Sequence, residues 1–286
     1  MESSGASPAH LRPVAIEPLG AWSAPDLREL WRHRHILSAL LRRDLKTRYR
    51  QTMLGPLWFV LTPLGRMGVF SVVFGKIAQL PSDGVPYPLF TYAALLPWEL
   101  FAASVQRSTQ SMVKYQGIIP KVYFPRLLIP LAETLSALLD FCCSLLLLLA
   151  MMLFYGYWPT DRVVYLPFYV GLALLSGFSV GLVFASLQVR YRDASQLVGY
   201  LLQAWSFATP VAYSAALAAQ SFSTPAWILY RLNPMFAPAD GFRWMFLGVG
   251  HGPDWTLPIV TLGVLIAVGA SAVLFDRTQD MVVDLL

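Results

Sequence analysis

Apolar and polar positions alternate along this chain in long blocks, and the blocks carry two different periods. From Leu27 to Arg50 the apolar residues Leu27, Leu30, Trp31, Leu37, Leu41 and Leu45 recur at spacings of three, four or their multiples, with arginines between them. That period draws one apolar stripe down a helix whose other face is basic. Asp26 after Pro25, with Glu29 in the first turn, marks a plausible start. Beyond Met53 the stripe gives way to runs that are apolar on all sides and about 20 residues long, the length that crosses a hydrocarbon core. A basic amphipathic helix leading directly into such a run reads as an interfacial helix followed by a membrane span.

Six spans follow from this pattern: about 54–74, 87–105, 127–155, 163–187, 196–213 and 255–275. The first contains Pro56 and Pro63. The second should kink at Pro97. The fourth carries Gly177 and Gly181 four residues apart, a weak signal for close helix packing. Residues 214–254 are aromatic and semi-polar, and Pro225, Pro234 and Pro238 break them too often for one span. Short helices that dip into the membrane and return are expected there, at about 215–254. The fold class is therefore all-α integral membrane. A polar tail at 1–26, expected to be disordered and without a signal-peptide core, precedes the interfacial helix at 27–52. The transmembrane domain covers 53–275, and a short acidic tail covers 276–286.

Composition agrees. Of the 286 residues 56% are hydrophobic and 13% charged, about half the charged share of soluble domains, and the mean hydropathy is +0.55. The net charge of +5 raises nucleic acid as a partner. The basic residues, however, cluster at the ends of apolar runs, where they set topology. With the N-terminus inside, sixteen of the 21 Lys and Arg fall on the inner side and four on the outer, with Arg66 within a span. Both termini are therefore cytoplasmic.

Little catalytic chemistry is visible. Cys142 and Cys143 are adjacent on one helix and point about 100° apart, so a disulfide between them is implausible. The four histidines are scattered and no Cys/His set has metal-ligand spacing. Gly75-Lys76 lacks the rest of a phosphate-binding loop: Phe70 stands at the first glycine position and Ile77 at the Ser/Thr position. The carboxylates do not face one membrane surface as a membrane transferase would require. If ATP drives this protein, another polypeptide hydrolyses it.

Charges inside spans are costly and mark function or pairing. Here they are Arg66, Glu99, Glu133 and Asp140. Glu133 and Asp140, seven apart, share a helix face. A proton-coupled secondary transporter would use such a pair. Alternatively Glu133 meets Arg126 or Arg190, and Arg66 meets Glu99 or Asp140. Aromatics on the spans include Trp58, Phe59, Tyr92, Trp98, Phe101, Phe207 and Tyr213. Rings near span ends, Trp58 and Tyr213 among them, serve as interfacial anchors. Deeper rings would offer flat faces on which sugar C–H groups slide. The link 115–126 is basic yet holds Ile118, Ile119, Val122, Tyr123 and Phe124. It is either a docking knob for a soluble partner or a loop tucked against the membrane face.

Several blocks in order resemble one family. They are Asp44-Leu45-Lys46-Thr47-Arg48-Tyr49-Arg50 with Met53-Leu54-Gly55-Pro56-Leu57-Trp58, then Gly84-Val85-Pro86-Tyr87-Pro88 and Leu96-Pro97-Trp98. Lys121-Val122-Tyr123-Phe124-Pro125-Arg126, Arg190-Tyr191-Arg192-Asp193, and Asn233-Pro234 with Arg243 follow. Together they resemble ABC-2 type permeases that export polysaccharides, over nearly all of the chain after residue 26.

The resemblance implies a homodimer in the inner membrane, served by two copies of a cytoplasmic ATPase that carries the ATP and Mg²⁺. This chain would hold no cofactor and bind no nucleic acid. The cargo would be an undecaprenyl-linked O-antigen, or a teichoic acid or capsule polymer. A coupling helix at about 114–126 would present Lys121, Val122, Tyr123, Phe124, Pro125 and Arg126 to the ATPase. The interfacial helix would carry Arg42, Arg43, Lys46, Arg48 and Arg50. Trp58, Phe59, Tyr92, Trp98, Phe101, Phe207 and Tyr213 would line a channel between protomers, and the outer segment would help gate its exit. Arg66 and Glu99 lie outside the matching motifs.

Overall fold

The computed structural model describes residues 27–48, 57–117, 119 and 124–285, and every described element is helical. The basic N-terminal stretch forms α1 (Leu27–Arg32) and α2 (Arg34–Arg48), joined by a single turn residue at His33. The apolar stripe exists but is centred differently from the sequence reading. Leu40 is buried, Leu30, Ile36 and Leu37 pack beside it, and Trp31 is 71% exposed. Arg42, Arg43 and Lys46 face out. Of the other interfacial basics, Arg48 closes α2 and Arg50 lies outside the described residues.

Five helical segments are long and apolar enough to cross a membrane: Val60–Ile77, Tyr87–Lys114, Leu128–Tyr155, Asp161–Arg190 and Thr256–Thr278. The first combines α3 (Trp58–Phe70), with Pro63 inside it, and a π-helical continuation, Ser71–Ile77. Next come α4 (Tyr87–Lys114), α5 (Leu128–Tyr155) and α6 (Leu166–Arg190), the last entered through a short 3₁₀ turn at Asp161–Tyr165. The last is α11 (Thr256–Leu285).

The fifth expected span, 196–213, is shorter than the sequence suggests. Here α7 (Ala194–Phe207) has 14 residues, about 21 Å at 1.5 Å per residue, against about 30 Å of hydrocarbon. It ends before Pro210, and residues 208–214 form turns. The expected short helices follow as α8 (Ala215–Ser221), α9 (Thr224–Arg231) and α10 (Phe236–Phe246).

The centre of the bundle is α4, whose buried residues run from Leu89 to Met112. The helix runs through Pro97 and well past the expected end at Val105. It packs against α5, α6 and α10, while α11 packs on α6. Where α4 meets α6, Gly177 sits over Ser104 and Gly181 over Ser108. The constant offset means that α4 and α6 run parallel, and the glycines let their backbones approach. By contrast, only 6% of the α3 span is buried. Val69, Val72 and Ile77 on that segment, like Leu197 and Tyr200 on α7, face outward.

Candidate functional site

Between α3, α4 and α7 lies a groove of about 410 Å³. Residues at helical spacing build its walls: Glu99, Ala102 and Gln106 from α4, and Gly199, Gln203 and Ser206 from α7. Arg66 closes it from α3, where its Nη1 donates to Glu99 Oε1. A paired charge in an apolar helix is tolerated where the pair meets water or other polar groups. This pair is partly exposed on the groove side. Trp98, Phe70 and Phe207 supply ring surfaces among the polar groups. The groove thus offers donors, acceptors and flat apolar faces together.

The seven expected channel aromatics divide. Trp98 and Phe207 line the groove, and Phe207 is 54% exposed. Phe101 and Tyr92 are core residues. Phe101 packs edge-on to Trp205, and the Tyr92 hydroxyl donates to the Ser144 carbonyl at 3.1 Å. Tyr213 lies beyond α7, where its hydroxyl donates to the Phe207 carbonyl at 2.8 Å and meets Tyr230 Oη at 2.9 Å. Trp58 is half-exposed at the start of α3 and away from the groove. The side chain of Phe59 is outside the described set. Gln106, Gln203 and Ser206 escaped the sequence reading. Their helical spacing on two separate segments was the available signal.

The remaining intramembrane charges form a ladder between α4 and α5. Arg107 donates to Asp140, and Lys114 Nζ donates to Glu133 Oε1 at 2.6 Å. Lys114 also reaches Asp44 of α2 at 2.7 Å, and Ser136 donates to the same carboxylate. Glu133 therefore pairs with Lys114 rather than with Arg126 or Arg190. Both carboxylates that a proton path would use have cationic partners.

Of the proposed coupling residues, Lys121, Val122 and Tyr123 lie outside the described residues. Phe124 is 7% exposed and packs with Leu40, Met112, Tyr115 and Phe275. Pro125 and Arg126 lead into α5. At Phe124 and Ile119, then, the link tucks against the bundle. Arg43 caps it, with its guanidinium 5.4 Å from the Tyr115 ring centre.

Buried non-helical backbone must find internal partners. The turn after α7 finds them in side chains from distant elements. Asn233 Nδ2 donates to the Ala208 carbonyl at 3.0 Å, and Tyr87 Oη to the Ala212 carbonyl at 2.5 Å. Arg243, fully buried, donates to the carbonyls of Val211 at 2.7 Å, Tyr213 at 3.0 Å and Phe90 at 3.1 Å. Its guanidinium also stacks 3.6 Å from the Phe90 ring centre. Asn233 Oδ1 accepts from Trp205 Nε1, fixing α7 to the same clamp.

Farther along, buried Asp240 accepts from the backbone N–H and from Nδ1 of His251, both at 2.8 Å. That bond holds the His251 pKa above its ordinary value of 6.5. Burial and the charge of Arg231 oppose it, and Asp83 assists. The folded value is raised, so the stabilisation is complete below about pH 6.5 and fades as pH climbs through the folded value. Thermal melting in detergent is expected to fall from pH 6 to pH 8.5, and His251→Gln should flatten that fall. An unchanged slope in the variant would assign the pH dependence elsewhere.

The ABC-2 type transporter family matches residues 36–247 of the chain. The O-antigen export system permease protein RfbA of Myxococcus xanthus is 33% identical over 258 residues, 89% of this chain and 96% of that protein. The Klebsiella pneumoniae protein of the same name is 27% identical, covering 82% of this chain and 88% of its own length. The polysialic acid transport protein KpsM of Escherichia coli is 23% identical over 58% of this chain and 65% of its own.

Proposed function

Because this chain belongs to the ABC-2 type transporter family, we propose that it is the permease subunit of an ATP-driven exporter. It passes a lipid-linked polysaccharide of the O-antigen kind from the cytoplasmic to the outer side of the inner membrane. The observation that carries this reading is the groove itself. Gln106, Gln203, Ser206 and the Arg66–Glu99 pair alternate there with Trp98 and Phe207 inside otherwise apolar helices. Sugar hydroxyls need such donors and acceptors, and sugar C–H faces need such rings.

The lining is incomplete in one chain, since α3 and α7 expose apolar residues beside the groove. A second copy of the chain facing these helices closes the passage. In this arrangement α7 and its turn serve as the fifth of six spans, and α8–α10 re-enter the outer leaflet. Both termini and the link 114–126 lie in the cytoplasm, where two copies of an ATPase subunit bind ATP and Mg²⁺. Export of capsule or teichoic acid polymers uses the same groove chemistry. The likeness to KpsM supports a capsule polymer as the second reading.

The test is to delete the gene in its native cell and to co-express the tagged chain with the neighbouring ATPase. Cells lacking it should accumulate lipid-linked polymer inside and lose it from the surface. Wild type restores export, Gln203→Leu with Ser206→Leu restores less than a tenth, and the chain co-purifies with ATP-hydrolysing activity. A chain that never binds an ATPase, with normal surface polymer in the deletion strain, refutes the assignment.

A further inference from the structure

A second cavity, of about 250 Å³, opens between the C-terminal ends of two spans, far along α6 and α11. One side is a single face of α6, with Val183, Leu187 and Arg190 at spacings of four and three. The other side is Leu274 and Thr278, one turn apart on α11. Besides the Tyr191 phenol, two hydroxyls reach the wall, and both already donate to their own helices. Ser186 Oγ bonds to the Leu182 carbonyl at 3.0 Å, and Thr278 Oγ1 to the Phe275 carbonyl at 2.9 Å. The interior therefore presents apolar surface.

The charged side chain among the lining residues is Arg190, the last residue of α6. Its guanidinium stands 5.5 Å from the centre of the exposed Tyr191 ring. A cation and an aromatic ring thus sit at the end of an apolar slot, where the helices leave the hydrocarbon. That order matches an amphiphile with a hydrocarbon tail and an anionic head. Basic pockets between transmembrane helices hold such headgroups, and aromatic side chains favour the same interfacial depth.

We propose that the α6–α11 slot binds an anionic glycerophospholipid, with an acyl chain along Val183, Leu187 and Leu274 and its phosphate against Arg190. The site lies across α6 from the groove that faces α4 and α7. The inference rests on the chain spanning a membrane and not on its cargo, so its failure would leave the export reading standing.

Native mass spectrometry of the full chain, released from mixed vesicles of phosphatidylglycerol and phosphatidylcholine, tests it. The wild type should retain phosphatidylglycerol preferentially. Arg190→Gln should weaken that retention roughly fivefold, the effect of one interfacial cation. Arg192→Gln, exposed and outside the slot, should change it little. Leu187→Trp, which fills the slot, should remove retained lipid of both kinds. Soluble glycerol 3-phosphate should not compete, because the tail supplies much of the affinity. Equal retention of the two lipids, wild-type retention by Arg190→Gln in a chain of normal melting temperature, or displacement by glycerol 3-phosphate would each overturn the assignment.

Discussion

Arg243→Met is expected to lower the stability of the chain by about 4 kcal/mol and to release the turn after α7. The arginine supplies hydrogen bonds to three carbonyls belonging to α4 and the 208–214 turn, and methionine supplies none. Each buried polar group left without a partner costs about 1–3 kcal/mol. The lost stacking on Phe90 adds about 1 kcal/mol. Arg243→Lys should fall between the two, since one ammonium cannot span three carbonyls that a planar fork reaches. Melting in detergent, followed by limited proteolysis between Ala208 and Phe222, would report both effects. If Arg243→Met melted like wild type and cut no faster, the clamp would have to reside in Tyr87 and Asn233 alone.

The second large effect belongs to the α4–α6 contact. A Cβ at Gly181 would lie 2.5 Å from Ser108 Cβ, and one at Gly177 would lie 2.6 Å from Ser104 Cβ and 3.1 Å from the Phe101 carbonyl. Those neighbours are backbone and first side-chain atoms of a buried helix, so the helices must part to admit a methyl. Each alanine should cost about 2 kcal/mol, and the double variant Gly177→Ala/Gly181→Ala should run largely as aggregate on size exclusion. Gly171 is the internal control. It lies on the same helix with nothing within 4 Å of its would-be Cβ, so Gly171→Ala should be neutral or slightly stabilising. A monodisperse double variant with wild-type melting would show that this contact is looser than its geometry.

The same contact explains what was legible in the sequence. The glycine pair is visible at its correct spacing, and the apolar runs of α5 and of the Thr256–Thr278 part of α11 announce themselves to within a few residues, although α11 itself continues to Leu285. The end of α4 did not, because Gln106, Arg107, Ser108 and Thr109 resemble a polar link. In the structure Ser104, Thr109 and Ser111 donate back to carbonyls of their own helix, and Arg107 is neutralised by Asp140. Small hydroxyls satisfied in this way pack like alanine, and hydropathy scales cannot register that. The truncation of α7 was hidden for a related reason. Residues 208–213 are apolar enough to extend a span, but their carbonyls are claimed by Asn233, Tyr87 and Arg243, more than twenty residues away or on another helix. The groove needs three segments brought together, and the spacing of Gln203 and Ser206 alone does not say what they face. Likewise, Arg66 had two carboxylates to choose from, and only the packing of α3 on α4 selects Glu99.

The charge ladder between α4 and α5 has a mechanical consequence. Its two rungs are seven residues apart on each helix and run in opposite directions, Arg107 with Asp140 and Lys114 with Glu133. A slip of one helical turn would separate both pairs at once. The next matching register lies about 10 Å away and would restore one pair while leaving the other cation and carboxylate apart. Sliding therefore breaks both pairs, while tilting the two helices together keeps them. Lys114 extends the lock to α2 through Asp44. The pairs thus tie α4, α5 and α2 into one unit, with Glu99 and Gln106 carried on the same helix as Arg107 and Lys114.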